Sequence, residues 1–186
     1  GAYEIASTLA HEGVDYLAVA FADEGVELRK KGITMPIVVL NADADSFGLV
    51  TSYRLEPEIY SFHSLHDFIE SAERFGSCEY PIHIKLDTGM HRLGFVEEEL
   101  PQLIEWLSAD ESVRVASVFA HLSCADMPSE DDFTRRQIAL FDRLSGELQA
   151  ALPYTIIRHT ANSAAIERFP EAHFDMCRLG LGLYGY

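Results

Sequence analysis

The hydrophobic residues of this chain fall into short apolar runs that alternate with segments of helical character. Seven runs have the length of a buried strand: Asp15–Phe21, Pro36–Leu40, Pro57–Tyr60, Ile82–Leu86, Val113–Phe119, Thr155–His159 and Phe174–Leu183. Helical spacing of apolar residues, or enrichment in helix formers, marks Ala2–His11, Asp23–Lys31, Ser64–Phe75, Glu97–Leu107, Asp131–Leu152 and Ser163–Phe169. The alternation predicts repeated strand–helix units.

Strands that are apolar throughout and separated by helices predict a parallel sheet, because parallel neighbours need a crossover connection. A doubly wound sheet usually carries a glycine-rich phosphate fingerprint after its first strand, and the sequence has no G-x-G-x-x-G or Walker pattern. A barrel instead spreads its polar groups over the ends of several strands. We therefore predict an α/β fold of the parallel (β/α)8, TIM-type barrel class.

Polar side chains cluster at or beyond the carboxyl ends of the last four apolar runs. They are Lys85, Arg92, His121, His159, Asn162, Ser163 and Arg178. Since the carboxyl ends of parallel strands meet at one face, their co-location favours a site for an anionic or phosphorylated ligand.

Each of these residues also has a purely structural interpretation. Lys85 pairs with Asp87 in a loop, His121 and His159 are hydrogen-bonded core histidines, or Arg178 pairs with Asp175 on the surface. Taken singly, these interpretations are at least as strong as the functional ones. The functional hypothesis rests on the residues sharing one face.

Glycines follow the last apolar run in the sequence Arg178-Leu-Gly180-Leu-Gly182-Leu-Tyr-Gly. Without a Cβ atom, their backbone N–H groups can approach a phosphate closely. Phosphate sites in barrels are commonly built from the loops after the last two strands, where Asn162 and Ser163 also lie.

Composition narrows the partners and the compartment. The 186 residues carry a net charge of −16, which disfavours nucleic acid and anionic membranes and favours a small-molecule or protein partner. No apolar run approaches the roughly 18 to 20 residues of a membrane span, and the first residues lack a signal-peptide pattern. Three widely spaced cysteines indicate neither a disulfide framework nor a zinc site. We expect a cytoplasmic, single-domain chain without a metal ion.

Three segments together resemble the barrel domain of the pyridoxal-phosphate-dependent alanine racemase family. They are Lys85-Leu-Asp-Thr-Gly-Met-His-Arg92-Leu-Gly, His159-Thr-Ala-Asn162-Ser163-Ala and Arg178-Leu-Gly-Leu-Gly-Leu-Tyr-Gly. The first segment is a specific motif. The other two are weaker singly and become strong evidence because all three occur in the same order as in the family. The resemblance covers essentially the whole chain. The opening stretch is similar to the racemase half of bifunctional chains that fuse a Mur-type ligase to the racemase.

The resemblance implies a set of cofactor contacts. Arg178 matches the arginine that faces the pyridine nitrogen of pyridoxal 5′-phosphate, and His159 matches the histidine that hydrogen-bonds this arginine. Ser163, Gly180 and Leu181 match positions that hold the cofactor phosphate, and Asn162 lies beside them.

The resemblance also implies roles for three residues nearer the substrate. Arg92 matches the arginine that contacts the phenolic oxygen of the cofactor and the substrate carboxylate. Lys85 matches a lysine often carbamylated in this family, where the carbamate orients that arginine; the competing interpretation is an unmodified lysine. His121 matches the histidine that orients a tyrosine base from the other subunit of a homodimer.

Two family residues have no match in these 186 residues. The lysine that forms the Schiff base belongs to the first barrel strand, and the tyrosine base belongs to a C-terminal β domain. We therefore expect residues 1–186 to form most of the barrel domain of an isomerase that interconverts L-alanine and D-alanine for peptidoglycan synthesis. The chain alone is expected to be inactive.

Two other classes stay open. One is a non-catalytic pyridoxal-phosphate-binding barrel of the cofactor-homeostasis type, which needs no β domain. The other is a fused scaffold or interaction domain. The K-x-D-T-G-M-x-R-x-G stretch favours the racemase over the first, and retention of Arg178, His159 and Arg92 argues against the second.

Overall fold

The computed structural model describes residues 1–185 as alternating helices and strands. The strands are β1 (Leu17–Val19), β2 (Ile37–Val39), β3 (Glu56–Ile59), β4 (Tyr80–Lys85), β5 (Val113–Phe119) and β6 (Ile157–His159). The α-helices are α1 (Ala2–His11), α2 (Ala22–Lys30), α3 (Phe47–Ser52), α4 (Phe62–Arg74), α5 (Leu100–Ala109), α6 (Asp131–Ala151) and α7 (Ser163–Arg168). Short 3-10 helices cover Glu97–Glu99, Pro128–Glu130, Pro170–Ala172 and Leu181–Tyr184.

The chain divides into two compact units. The first comprises Gly1–His83 and Glu111–Arg114; the second comprises Ile84–Asp110 and the residues from Val115 onward. In the first unit β1 pairs with β2 and β2 with β3, both in parallel. Phe47 and Phe68 meet edge to face in its core, with ring centroids 5.0 Å apart. The Tyr80 hydroxyl lies 3.1 Å from Val50 O and 2.8 Å from Leu55 O, so this partly buried group has acceptors for its proton.

The second unit places the ends of three strands side by side. β5 and β6 pair in parallel, with Ser117 opposite Ile157 and Phe119 opposite His159. The backbone N–H of Leu86, one residue after β4, donates to the carbonyl of Phe119 at 2.8 Å. The carboxyl ends of β4, β5 and β6 therefore lie next to one another at one edge of this unit.

An apolar cluster beneath α6 and α7 supports this edge. Its buried members include Leu122, Ile138, Ala165 and Phe169. Phe174 packs against the cluster and lies edge to face on Phe141, with ring centroids 5.0 Å apart. Burial of such side chains stabilises the fold by about 1.5 to 3 kcal/mol each and fixes the loops that follow β5 and β6.

Six of the seven predicted strands are confirmed, and the parallel α/β class is confirmed within each unit. The predicted strand Phe174–Leu183 is wrong. Two isolated bonds, Asp175 N to Arg158 O and Arg178 N to Ala161 O, tie this segment to the end of β6. Gly180, at φ −111° and ψ −103°, then leaves the extended region before the 3-10 helix begins. Closure into eight strands stays a prediction.

Membrane and metal signals are absent from the part of the chain that the structure describes. None of its helices is long and apolar enough to cross a membrane. Residues 1–185 also contain no group of three or more His, Cys, Asp or Glu side chains placed to hold a metal ion.

Candidate functional site

The loop after β4 folds back on its own strand. Asp87 N donates to Phe95 O, and Phe95 N donates to Lys85 O, both at 2.9 Å. The Asp87 carboxylate accepts the N–H groups of Gly89 and His91. Burial raises the pKa of Asp87, but these donors outweigh burial and leave its pKa below the ordinary value. Asp87 therefore stabilises the loop that presents the Lys85–Arg92 motif.

Phe119, the last residue of β5, lies at the centre of the polar cluster. Lys85 Nζ and Arg178 Cζ each lie 5.2 Å from its ring centroid. The His159 ring stacks on Phe119, with centroids 5.0 Å apart and planes inclined by 10°. An aromatic face attracts a cation by about 0.5 to 2 kcal/mol, so Phe119 holds two cationic side chains beside a histidine.

Arg178 is fixed by four acceptors. Its Nη1 contacts His159 Nδ1 at 2.9 Å and His159 O at 3.1 Å. Its Nη2 donates to Ala120 O at 2.7 Å and to Thr160 O at 3.1 Å. Bonds to both terminal nitrogens define the plane of the guanidinium. The alternative surface pair with Asp175 is wrong for this arginine, because its terminal nitrogens bind these four acceptors. The Asp175 carboxylate accepts the backbone N–H of Arg158.

His121 lies two residues beyond β5 in a positive environment. Burial lowers its pKa most, and the charges of Arg178, Lys85 and Arg92 lower it further, to about 4. The imidazole is therefore neutral near pH 7 and offers one donor and one acceptor. Arg92 is exposed on the loop after β4, and its positive charge contributes to the lowered pKa of His121.

The lowered pKa of His121 predicts a pH dependence of stability. The unfolded chain takes up this proton near pH 6.5 and the folded protein only near pH 4. The neutral His121 imidazole therefore makes its full contribution to the free energy of unfolding above pH 6.5, and this contribution declines as the pH falls toward 4. In urea unfolding, the free energy of unfolding of wild type should fall relative to that of His121→Gln as the pH is lowered from 6.5 toward 4. An imidazole NMR resonance of His121 that titrates near pH 6.5 would contradict the account.

Gln137 on α6 anchors the backbone on either side of Leu122. Its Nε2 donates to His121 O at 3.2 Å, and its Oε1 accepts the N–H of Ser123 at 3.3 Å. The side chain is 1% exposed. A single amide therefore satisfies two backbone groups of the segment that carries His121.

Replacing Gln137 by leucine should destabilise the protein by about 1 to 3 kcal/mol, because a partly buried carbonyl and a partly buried N–H lose their partner. The midpoint of urea unfolding measures the loss. Gln102→Leu, at an exposed position of α5, is the control and should stay within about 0.5 kcal/mol of wild type. Equal midpoints for the two variants would show that the Gln137 bonds carry no net stability.

A cradle of backbone N–H groups lies beside Ser163. The Ser163 hydroxyl accepts the N–H of Gly180 at 2.9 Å and that of Gly182 at 3.1 Å. A Cβ atom at position 182 would lie 3.1 Å from Leu179 and 3.3 Å from Ser163, so glycine keeps this approach close. Leu181, between the two glycines, is 71% exposed.

Asn162 has a structural role that the sequence left undefined. Its Oδ1 accepts the N–H of Ala165 and so caps α7, while its Nδ2 donates to Leu122 O at 2.9 Å. The residue therefore ties the start of α7 to the segment after β5.

The nine predicted site residues all lie in the second unit. Lys85, His159 and Arg178 gather around Phe119, and Ser163 binds Gly180. The sequence did not identify Ser117, Phe119 or Gln137 as part of the site, although the Ser117 hydroxyl lies 2.9 Å from His159 Nε2. A polar residue inside an apolar strand was the available signal for Ser117, because a buried hydroxyl needs a partner.

The fold and the site define a parallel α/β protein with a cationic, hydrogen-bonding cluster at the carboxyl ends of its strands. The sequence pattern described as "Alanine racemase, N-terminal domain" matches residues 1–186. This chain belongs to the alanine racemase family.

Individual relatives agree with this assignment. The alanine racemase of Synechocystis sp. is 35% identical over the whole chain, which covers 50% of that protein. A Clostridium difficile alanine racemase structure has a TM-score of 0.92 and 36% identity, with 100% of this chain and 48% of that one covered. A Bartonella henselae structure, described as alanine racemase with covalently bound pyridoxal phosphate, has a TM-score of 0.80, 28% identity and corresponding coverages of 100% and 52%. The chain thus spans about half the length of these relatives.

Proposed function

We propose that the full-length protein containing this chain is an alanine racemase, which interconverts L-alanine and D-alanine with pyridoxal phosphate. The observation that carries the proposal is the Arg178 guanidinium, fixed by four acceptors and followed directly by the N–H cradle at Gly180 and Gly182. In this proposal residues 1–186 form most of the barrel domain, and a C-terminal β domain completes the enzyme.

The described residues fit pyridoxal phosphate. Ser163 and the N–H groups of Gly180, Leu181 and Gly182 would hold its phosphate, because a hydroxyl and several backbone donors suit a dianion. The N–H groups of Gly180 and Gly182, which donate to Ser163 Oγ in this structure, would then donate to the phosphate oxygens instead. The narrow approach at Gly182, which a Cβ would fill, supports this assignment. When bound, the cofactor supplies an electron-withdrawing ring that makes the Cα proton of an amino acid acidic.

Arg178 would face the pyridine nitrogen of that ring. A guanidinium has only donors and keeps its charge at any relevant pH, so it binds the nitrogen lone pair and hands over no proton. The unprotonated ring is a weaker electron sink, which favours return of the Cα proton over competing reactions. His159 supports the role by accepting a bond from Arg178.

Arg92 would bind the substrate carboxylate from the loop after β4. Lys85, only 7% exposed at the end of that strand, would react as a neutral amine with carbon dioxide. The carbamate would replace the positive charge of the side chain with a negative charge that orients Arg92. A carbamate carbon resonance in protein treated with ¹³C-bicarbonate, absent from Lys85→Met, is the expected result. Equal spectra would show that Lys85 is unmodified.

The neutral His121 would orient a tyrosine base supplied by the partner subunit of a homodimer. Racemisation removes a proton from one face of Cα and returns one to the other, so it would need a base on each face. The proposal assigns the second base to a lysine upstream of α1. Neither base is among the 186 residues, so this chain alone should bind pyridoxal phosphate weakly and form no D-alanine. D-alanine supply for peptidoglycan is the proposed role, and a fused Mur-type ligase stays a prediction.

Pyridoxal phosphate titration of the full-length protein tests the site. We expect Gly182→Ala to weaken binding roughly 10-fold or more, because the added methyl group narrows the space for the phosphate. A tenfold loss of affinity corresponds to about 1.4 kcal/mol of binding free energy, which is comparable to one hydrogen bond. Gly48→Ala on α3 is the control, since a Cβ there meets no atom within 4 Å. Unchanged affinity in Gly182→Ala would place the phosphate elsewhere.

A further inference from the structure

We propose that Asp87 is a positioning residue for Arg92, acting through the backbone of the loop that follows β4. The inference rests on the proposed function only for the ligand of Arg92, which is the carboxylate of the amino-acid substrate. Asp87 touches neither the substrate nor the cofactor in this role. Its side chain is 7% exposed and binds back to its own loop.

The base of this loop is closed by backbone hydrogen bonds. Asp87 N donates to Phe95 O, and Phe95 N donates to Lys85 O, both at 2.9 Å. Arg92 lies in the middle part of the loop, away from both of these closing residues. The closing bonds therefore do not fix the direction of Arg92, and a second constraint inside the loop is needed to do so.

The Asp87 carboxylate supplies the second constraint with three contacts. Its Oδ1 accepts the N–H of Gly89 at 2.9 Å and the N–H of His91 at 3.1 Å. Its Oδ2 lies 3.3 Å from Nδ1 of the His91 ring. One carboxylate therefore holds the residue directly before Arg92 by both its main chain and its side chain.

His91 needs this support because its backbone lies in the left-handed region, at φ +54°. That conformation is unfavourable for a residue with a Cβ atom. The hydrogen bond to the N–H of His91 offsets this cost and keeps the chain turned at the residue from which Arg92 departs. After burial, the charge of Arg92 is among the causes that lower the pKa of His121, so the turn brings this arginine into the neighbourhood of His121.

A purely electrostatic role would make a different demand on Asp87. If only its negative charge mattered, any side chain that keeps a carboxylate would serve. The geometry instead depends on where one oxygen lies, since both N–H groups meet at Oδ1. Asp87→Asn keeps an oxygen at that position and loses the charge. Asp87→Glu keeps the charge and moves both oxygens one methylene further from the backbone.

Backbone ¹⁵N relaxation of the full-length protein tests the positioning role without cofactor or activity. For the amides of His91 and Arg92 we expect order parameters of about 0.85, the value of a rigid backbone, in wild type and in Asp87→Asn. Asp87→Glu should lower both to about 0.6 or less. Asp132→Glu, the same exchange at an exposed position of α6, is the control and should keep the wild-type values. Wild-type order in Asp87→Glu, or lost order in Asp87→Asn, would overturn the proposal.

Kinetics of the same proteins test the consequence for the substrate. A displaced arginine clamp can cost up to about 100-fold, and we expect Asp87→Glu to raise KM for alanine by roughly 10-fold or more, with kcat per bound cofactor changed less. Asp87→Asn should keep the wild-type KM. A merely structural effect would lower the yield of active enzyme and leave KM alone, so equal KM in Asp87→Glu and wild type would reject the role. If wild type forms no D-alanine while Asp87→Glu still loses order at Arg92, the proposed function fails and the positioning of Arg92 by Asp87 stands.

Discussion

Gly94→Ala is expected to destabilise the second unit by about 3 kcal/mol or more and to remove pyridoxal phosphate binding. Gly94 has a φ of +129°, where an L-residue is strained by about 1 to 3 kcal/mol. A Cβ atom there would also lie 2.6 Å from Asp87 N and 2.7 Å from the carbonyl carbon of Leu86. These are backbone atoms, so the contact is relieved only by opening the loop that carries Arg92.

The control for Gly94→Ala is Gly146→Ala in the middle of α6. A Cβ at position 146 meets no atom within 4 Å, and alanine is the better helix former, so this variant should gain about 0.5 to 1 kcal/mol. Urea unfolding compares the two variants, and cofactor titration follows binding. Equal stability for Gly94→Ala and wild type would show that the close contact of Gly94 with the backbone of Leu86 and Asp87 does not hold the loop after β4 together.

Arg178→Lys is expected to cost about 3 kcal/mol of folding stability, because bonds from a charged group are worth about 1.5 to 3 kcal/mol each and at least two are lost. An ammonium group at one point cannot satisfy Ala120 O, Thr160 O and both acceptors of His159, which Arg178 reaches with two nitrogens. Because lysine also lacks the planar set of N–H donors that is proposed to bind the pyridine nitrogen, kcat should fall more than KM rises.

Arg143→Lys is the matched substitution on the surface. Arg143 pairs with Glu97 and Glu147 at an exposed site on α6, and exposed pairs contribute little to stability because water screens them. We expect its stability and activity to match wild type. If Arg178→Lys also matched wild type in stability and activity, the four bonds to the Arg178 guanidinium would matter neither for folding nor for catalysis.

The strand–helix order was predictable because it depends on local properties. Most of the strands are short apolar runs, and most of the helices show their own spacing or composition, so β5 was predicted with its bounds Val113–Phe119. Phe174–Leu183 is equally apolar, yet its backbone makes only isolated bonds to β6. Strand pairing depends on a neighbour's position, which a run of apolar letters does not contain.

The site was predictable to the extent that its residues are polar and follow strands. Lys85, His159 and Arg178 are conspicuous for this reason, and they do gather. Phe119 looked like one more core residue, because its role arises from the register that sets it beside His159. Gln137 lies in the middle of a long amphipathic helix, where its two backbone partners are fixed only by the tertiary fold.

Formation of D-alanine by the full-length protein tests the central claim most directly. Protein loaded with pyridoxal phosphate is incubated with L-alanine in deuterated water, and both enantiomers are separated and analysed for deuterium at Cα. The account predicts D-alanine carrying deuterium, with the rate reduced in Arg178→Lys and unchanged in Arg143→Lys. Bound pyridoxal phosphate without any D-alanine would contradict the racemase assignment and favour a non-catalytic cofactor-binding barrel.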